Sequence, residues 1–172
     1  RAAQVDLICT HLPPPADAGD LHLRSLGEWR ATVCCLSAHH PRIGAGITLD
    51  EYLAEVHLLT LYGTQREYQA SHAARMYETR GWRRRTSLVH SMRVAADIVS
   101  RTDRLVTCNV EQARLIMRLA PDVRCLPLPP EIGLPAFMLY MVWHARTQYS
   151  ASHRWLRDQV SALLMPAAAQ ST

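Results

Sequence analysis

The chain has 172 residues, of which 48% are hydrophobic and 20% charged; that supplies a buried core and excludes a disordered polymer. Its 19 basic residues, all arginine, exceed 15 acidic ones by four, yet only Arg83, Arg84 and Arg85 run together, so this run reads as solvated surface rather than a nucleic-acid patch. No apolar run reaches the roughly 18–20 residues of a membrane span, and no charged-then-apolar leader follows Arg1.

In chain order, Val5 to Thr10 is short, apolar and β-prone, and a loop at Pro13-Pro14-Pro15 ends it. Trp29 to Leu36 reads as a second strand, closed by His39-His40-Pro41. Thr48-Leu49-Asp50-Glu51 has the spacing of a capping box, which predicts a short helix through about Glu55. His57 to Leu61 is a third strand. Gln65 to Arg80 has helical composition, with Ala73, Met76 and Tyr77 on one face and Gly81 as its stop. Arg85 to Val89 is a strand. Met92, Ala95, Ala96 and Val99 then form the stripe of a helix that Ser91 is placed to cap.

Arg104 to Cys108 is a strand, Val110 to Leu119 a helix, and Val123 to Leu128 and Phe137 to Trp143 are strands. Ser152 to Leu164 is the last helix, with Leu156, Val160, Leu163 and Leu164 as its buried side, and the tail after Pro166 is expected to fray. Strand and helix alternate, so the fold class is α/β.

The five cysteines, Cys9, Cys34, Cys35, Cys108 and Cys125, are odd in number and contain no C-x-x-C. They read as small core residues of a reduced cytoplasmic protein, with Cys34 and Cys35 on opposite faces of one strand. Nine histidines offer no H-x-x-x-H or H-E-x-x-H, so no metal site and no cofactor is expected. Neither a G-x-S-x-G nor a phosphate-binding glycine loop is present, and no catalytic residue is assigned.

Ligands of open α/β sheets gather at the carboxyl ends of strands. Those ends carry Thr10 and His11, Thr60 and Leu61, His90 and Ser91, and Cys108 and Asn109. Ser91, at a helix start, offers a hydroxyl and backbone N–H groups to a carboxylate; the competing reading is that it only caps its helix. His57, at the start of its strand, reads as a satisfied structural histidine.

Several marks occur in a characteristic order: Val5-Asp6-Leu7, His40-Pro41, Thr48 to Leu53 with His57, Gly81-Trp82-Arg83-Arg84, Val99 to Thr107, and Leu126-Pro127-Leu128-Pro129. Last come Trp143-His144-Ala145-Arg146 and Trp155-Leu156-Arg157, the most specific pair. Together they resemble the effector-binding domain of LysR-type transcriptional regulators over nearly the whole chain. Asn109 departs from the proline of many members, and His90-Ser91-Met92 from the P-x-F of members with aromatic ligands.

The resemblance implies a two-lobed fold of periplasmic-binding-protein type (type II) holding a small-molecule effector, such as a carboxylate or aromatic acid, between the lobes. Residues 1–35 plus 125–172 are the expected first lobe, incomplete at its N-terminus, and 36–124 the second. Strands near Thr32–Leu36 and Cys125–Leu128 are the expected hinge. Thr10, His11, Thr60, His90, Ser91 and Met92 are the expected effector contacts. In the Trp143 to Trp155 stretch, Trp155 is expected to anchor its helix on the sheet, and His144 and Arg146 to brace the junction. The implied protein is cytoplasmic, not an enzyme, a homodimer or tetramer, and meets DNA only through a helix-turn-helix outside this sequence. A solute-binding protein of a transport system with the same fold is the rival reading.

Overall fold

The computed structural model describes residues 5–11, 19–60 and 72–164, the side chains of the last stretch from Arg75 onward. The loop at Pro13-Pro14-Pro15, Leu61, the first half of the expected Gln65–Arg80 helix with the Ala73 side chain, and the tail after Pro166 lie outside the described residues. The fold is α/β, in two compact units: Arg1–Trp29 with Ala136–Thr172, and Arg30–Pro135. The expected limits of the second lobe, 36–124, fall inside the second unit.

The first unit is built on β1 (Leu7–Thr10), β2 (Leu21–Trp29) and β8 (Phe137–His144), an antiparallel sheet in the order β1-β8-β2. The apolar run of β8 fits its central place, paired on both sides. After it come a 3-10 turn, Ala145–Thr147, and helix α5 (Ala151–Leu164). Strand β2 is the element that sequence reading misses. Its pattern, LHLRSLGEW, alternates poorly, and its register slips between Ser25 and Gly27. Gly27 has φ 116°, open to a residue without Cβ. Trp29 therefore closes β2 instead of opening the next strand, which starts at Val33.

Helix α5 is rolled relative to its expected orientation. Val160 and Leu164 pack on Leu26, Met141 and Trp143 as anticipated. The rest of the inner face is Arg157 and Ser161, while Leu156 and Leu163 face outward, Leu163 at 82% exposure. Trp155 is 64% exposed and does not anchor the helix. The anchor is Arg157, 2% exposed. Its guanidinium lies 4.7 Å over the Trp143 ring and donates to the carbonyls of Thr147 (3.3 Å) and Gln148 (2.9 Å). Cation–π attraction and two carbonyl acceptors offset the loss of water around this charge.

The second unit runs β3 (Val33–Ser37), α1 (Leu49–Ala54), β4 (Val56–Thr60), α2 (His72–Thr79), β5 (Arg85–Val89), α3 (Met92–Arg101), β6 (Leu105–Cys108), α4 (Val110–Leu119) and β7 (Val123–Pro127). Its sheet has the order β5-β4-β6-β3-β7. Strand β4 is parallel to β5 and β6, and β3 is antiparallel to β6 and β7. Both expected hinge segments are thus neighbouring strands of this sheet.

Each face of the sheet has its own core. Cys35, Val106 and Cys108 pack with Ala95, Val99 and Ile116 from α3 and α4. Cys34, Leu36 and Leu105 pack on the other face with Tyr52 and Tyr77 from α1 and α2. Cys34 and Cys35 do face opposite ways, as the period of a strand requires. The capping box of α1 is complete: Thr48 Oγ1 accepts from Glu51 N (3.3 Å), and Glu51 Oε2 accepts from Thr48 N (2.8 Å). Gly81, at φ 68°, closes α2 with its N–H on Glu78 O, and Trp82 N–H reaches Tyr77 O, both at 2.9 Å. Among the described residues no helix is long and apolar enough to cross a membrane.

Candidate functional site

Because β4, β5 and β6 are parallel, their carboxyl ends lie on one edge of the second unit. The register pairs Thr60 with Val89, and pairs His57 with Leu105 and Leu58 with Val106, which carries Thr60 level with Cys108. One helix-covered layer lies on each side of β4, and the chain leaves β4 for β5 before crossing back to β6. That places Thr60 at a topological switch point, where open α/β sheets leave a crevice.

Four of the six expected contact residues meet on this edge: Thr60, His90, Ser91 and Met92. The Thr60 Oγ1 atom is buried and, among the described residues, has no hydrogen-bond partner. An orphaned buried hydroxyl costs about 1–3 kcal/mol unless something pairs with it. His90 is exposed just past β5. Ser91 is the N-terminal cap of α3 by backbone shape, and its carbonyl accepts from Ala95 N at 3.0 Å. Its side chain makes no cap hydrogen bond, so the expected side-chain capping role is not the one the structure has. Met92 opens α3 and packs partly on the core. Thr10 and His11 adjoin each other at the end of β1 in the first unit, where His11 meets the Phe137 ring edge-on at 5.9 Å.

Asn109 behaves differently from Ser91. Its Oδ1 accepts from Gln112 N (2.8 Å) while Gln112 Oε1 accepts from Asn109 N (3.3 Å), a full capping box at the start of α4. The N-x-x-Q spacing was there to be read. Asn109 is therefore committed to its helix, whereas the Ser91 hydroxyl is not.

Beneath the edge, Tyr52 Oη lies 2.6 Å from Thr107 Oγ1 and 3.1 Å from Tyr77 Oη, joining α1, α2 and β6. His57 is fully buried, with Nε2 2.7 Å from the Tyr52 carbonyl and its ring edge-on to Tyr52 at 4.4 Å. A carbonyl only accepts, so Nε2 carries the proton and Nδ1 is left as a buried acceptor without a donor. Burial, then the Arg84 charge, lowers the His57 pKa to about 4, so the ring is neutral near pH 7. This is the structural histidine that the sequence suggests. His144 and Arg146 brace the end of β8: His144 Nδ1 accepts from Arg146 N at 3.1 Å, and the Arg146 guanidinium pairs with the Asp6 carboxylate.

A surface cavity of about 610 Å³ involves Arg93, Asp97 and Arg101 of α3 and Pro121 and Asp122 before β7. It opens near the C-terminal ends of α3 and α4, at the opposite edge from the carboxyl ends of β4, β5 and β6. Asp97 is already paired with Arg101 at 3.0 Å. The strand-end edge carries the unpaired hydroxyl, and is the better candidate.

No protein-family model matches the chain. Two curated relatives are helix-turn-helix-type transcriptional regulators. LinR of Sphingobium indicum is 30% identical over 133 residues, covering 77% of this chain and 42% of LinR. SyrM of Rhizobium meliloti is 24% identical over 129 residues, covering 75% of this chain and 38% of SyrM. The chain thus spans less than half the length of the curated relatives it matches. Among solved structures, a putative transcriptional regulator from Vibrio parahaemolyticus has a TM-score of 0.71 at 25% identity, covering 91% of this chain and 70% of that one. The regulatory domain of MexT, a transcriptional activator in Pseudomonas aeruginosa, has 0.68 at 21% identity, covering 92% and 74%. CbnR, a LysR family transcriptional regulator, has 0.62 at 12% identity, covering 92% and 53%. The chain thus has the regulatory-domain fold of LysR-type transcriptional regulators, and the curated proteins it resembles are helix-turn-helix-type regulators.

Proposed function

We propose that the chain is the ligand-sensing domain of a bacterial LysR-type regulator, and that it binds a small-molecule co-inducer without catalysing a reaction. The observation that supports this is the pair of uncommitted hydroxyls on one edge: Thr60 Oγ1, buried without a partner, and Ser91, at the start of α3 without a side-chain cap bond. Ser91 with the N–H groups of a ten-residue helix suits a carboxylate. A small carboxylate or aromatic acid is the proposed ligand class, with His90 and Met92 beside it. The ligand acts by binding one arrangement of the regulator more tightly than another, and so shifting its population. A longer gene product carrying a helix-turn-helix would read DNA as a dimer or tetramer in the cytoplasm.

A thermal-shift screen of small carboxylates and aromatic acids, run on the intact gene product, tests the proposal. A hit should raise Tm in the wild type and lose its effect in Ser91→Trp, whose own Tm stays near wild type. A hit equally effective on Ser91→Trp contradicts the assignment. The rival, a transported-solute receptor, draws no support from relatives that are regulators.

A further inference from the structure

Three of the five cysteines converge on one face of the second unit. Cys35 on β3, Cys108 on β6 and Cys125 on β7 all belong to the core under α3 and α4. Because β3 lies between β6 and β7, Cys35 is the middle member. Its Sγ is 3.8 Å from Cys108 Sγ, and it is the direct cross-strand partner of Cys125.

The kind of cross-strand pair can be worked out from the ladder. Leu128 N donates to Thr32 O (3.0 Å), and Ala38 N donates to Asp122 O (2.7 Å). Hydrogen-bonded and non-hydrogen-bonded pairs alternate along an antiparallel ladder. Pairs 32/128, 34/126, 36/124 and 38/122 are therefore the bonded ones, and 33/127, 35/125 and 37/123 are not. Pro127, which has no N–H to donate, falls on a non-bonded position, as it must. Non-bonded partners have Cα atoms about 4.5 Å apart with side chains close, within the ~4.4–6.8 Å that a disulfide spans.

We propose that Cys35 and Cys125 form a reversible redox pair, with Cys108 as a second partner for Cys35. Cys125 is half-buried and is the point of access, while Cys35 is fully buried behind it. The oxidant is a hydroperoxide. The Cys125 sulfur attacks the peroxide oxygen, giving Cys125–S–OH and an alcohol or water. The Cys35 sulfur then displaces hydroxide from Cys125, its own proton leaving with that hydroxide as water. One S–S bond forms, two thiols are oxidised, and one peroxide is reduced by two electrons. The bond ties β3, where the chain enters the second unit, to β7, close to where it leaves. Contact with the Cys108 sulfur, with burial behind it, pushes the Cys35 thiol above its ordinary range, and contact with the Cys35 sulfur, then burial, does the same for Cys125, so the reaction is slow near pH 7 and accelerates with pH.

The experiment is treatment of the native protein with hydrogen peroxide at pH 7.0 and 8.5, followed by non-reducing peptide mapping by mass spectrometry. Expected is a peptide containing Cys34 and Cys35 joined to the Cys125 peptide, forming at least several-fold faster at pH 8.5. Cys34→Ser should keep this link, and Cys35→Ser should abolish it. Cys125→Ser, at the half-buried position, guards against a folding defect in Cys35→Ser, and should leave a Cys35–Cys108 link or none. No Cys125 link in folded protein at pH 8.5, or a link that survives Cys35→Ser, overturns the proposal.

Discussion

Glu55, with a side chain 4% exposed, holds Arg42 in a two-pronged ion pair: Arg42 Nε donates to Oε1 at 2.7 Å and Nη2 to Oε2 at 2.6 Å. Asp103 takes a third donor from Arg42 at 2.5 Å, and His40 Nε2 lies 3.9 Å from Glu55. One arginine thus joins the loop after β3, the end of α1 and the turn before β6. Removing it strands a buried carboxylate. Arg42→Met should lower the urea unfolding midpoint measurably. The double variant Arg42→Met/Glu55→Gln should lose clearly less than the sum of the two single changes. Simple additivity would show that the pair is not coupled.

Two helix starts in one sheet should respond differently to alanine. Asn109 uses its side chain in a reciprocal cap, so Asn109→Ala should cost about 1 kcal/mol. Ser91 makes no cap bond, so Ser91→Ala should fall within about 0.5 kcal/mol of wild type. Chemical denaturation of both variants checks the contrast, and equal losses would restore Ser91 to a capping role.

Stability should depend on His57 under mild acid. Its folded pKa, about 4, lies below the unfolded value of 6.5. The unfolded chain therefore binds the proton first, and stability present above pH 6.5 is lost as pH falls toward 4. Between pH 7 and pH 5 the loss from this group is about 2 kcal/mol. His57→Gln, less stable than wild type at pH 7, should show a smaller loss over the same interval. Parallel pH profiles for the two proteins would contradict the assignment.

Of the two tryptophans on either side of the last turn, Trp143 and not Trp155 should matter for stability. Trp143 is 7% exposed and donates from Nε1 to Gln148 Oε1 at 2.6 Å. Trp143→Ala should cost about 3–5 kcal/mol, whereas Trp155→Ala should stay within about 1 kcal/mol. Thermal unfolding of the two variants decides between them.

The pattern of these successes and failures has physical causes. In the second unit the α3 stripe Ala95, Ala96 and Val99, the strand β5 and the box at Thr48 all matched their expected places, because local periodicity and capping chemistry agree with the tertiary fold there. Helix α5 misled because its apolar residues cover more than one face, and its sheet-facing groove takes Arg157 and Ser161. A charge paired to two carbonyls and an aromatic ring is invisible to a hydrophobic pattern. Strand β2 was hidden by a bulge that breaks its alternation. Strand ends in the second unit could be read, since parallel neighbours follow from strand–helix alternation. That Thr60 is left without a partner and Ser91 without a cap bond required coordinates.

The proposed function places a small acid at the carboxyl ends of β4 and β5. Amide chemical-shift mapping by NMR, with a ligand found in the thermal-shift screen, tests it most directly. Perturbations are expected to concentrate at Thr60, His90, Ser91 and Met92. Perturbations concentrated instead at Asp97, Arg101 and Asp122, with the strand-end amides unmoved, would contradict it.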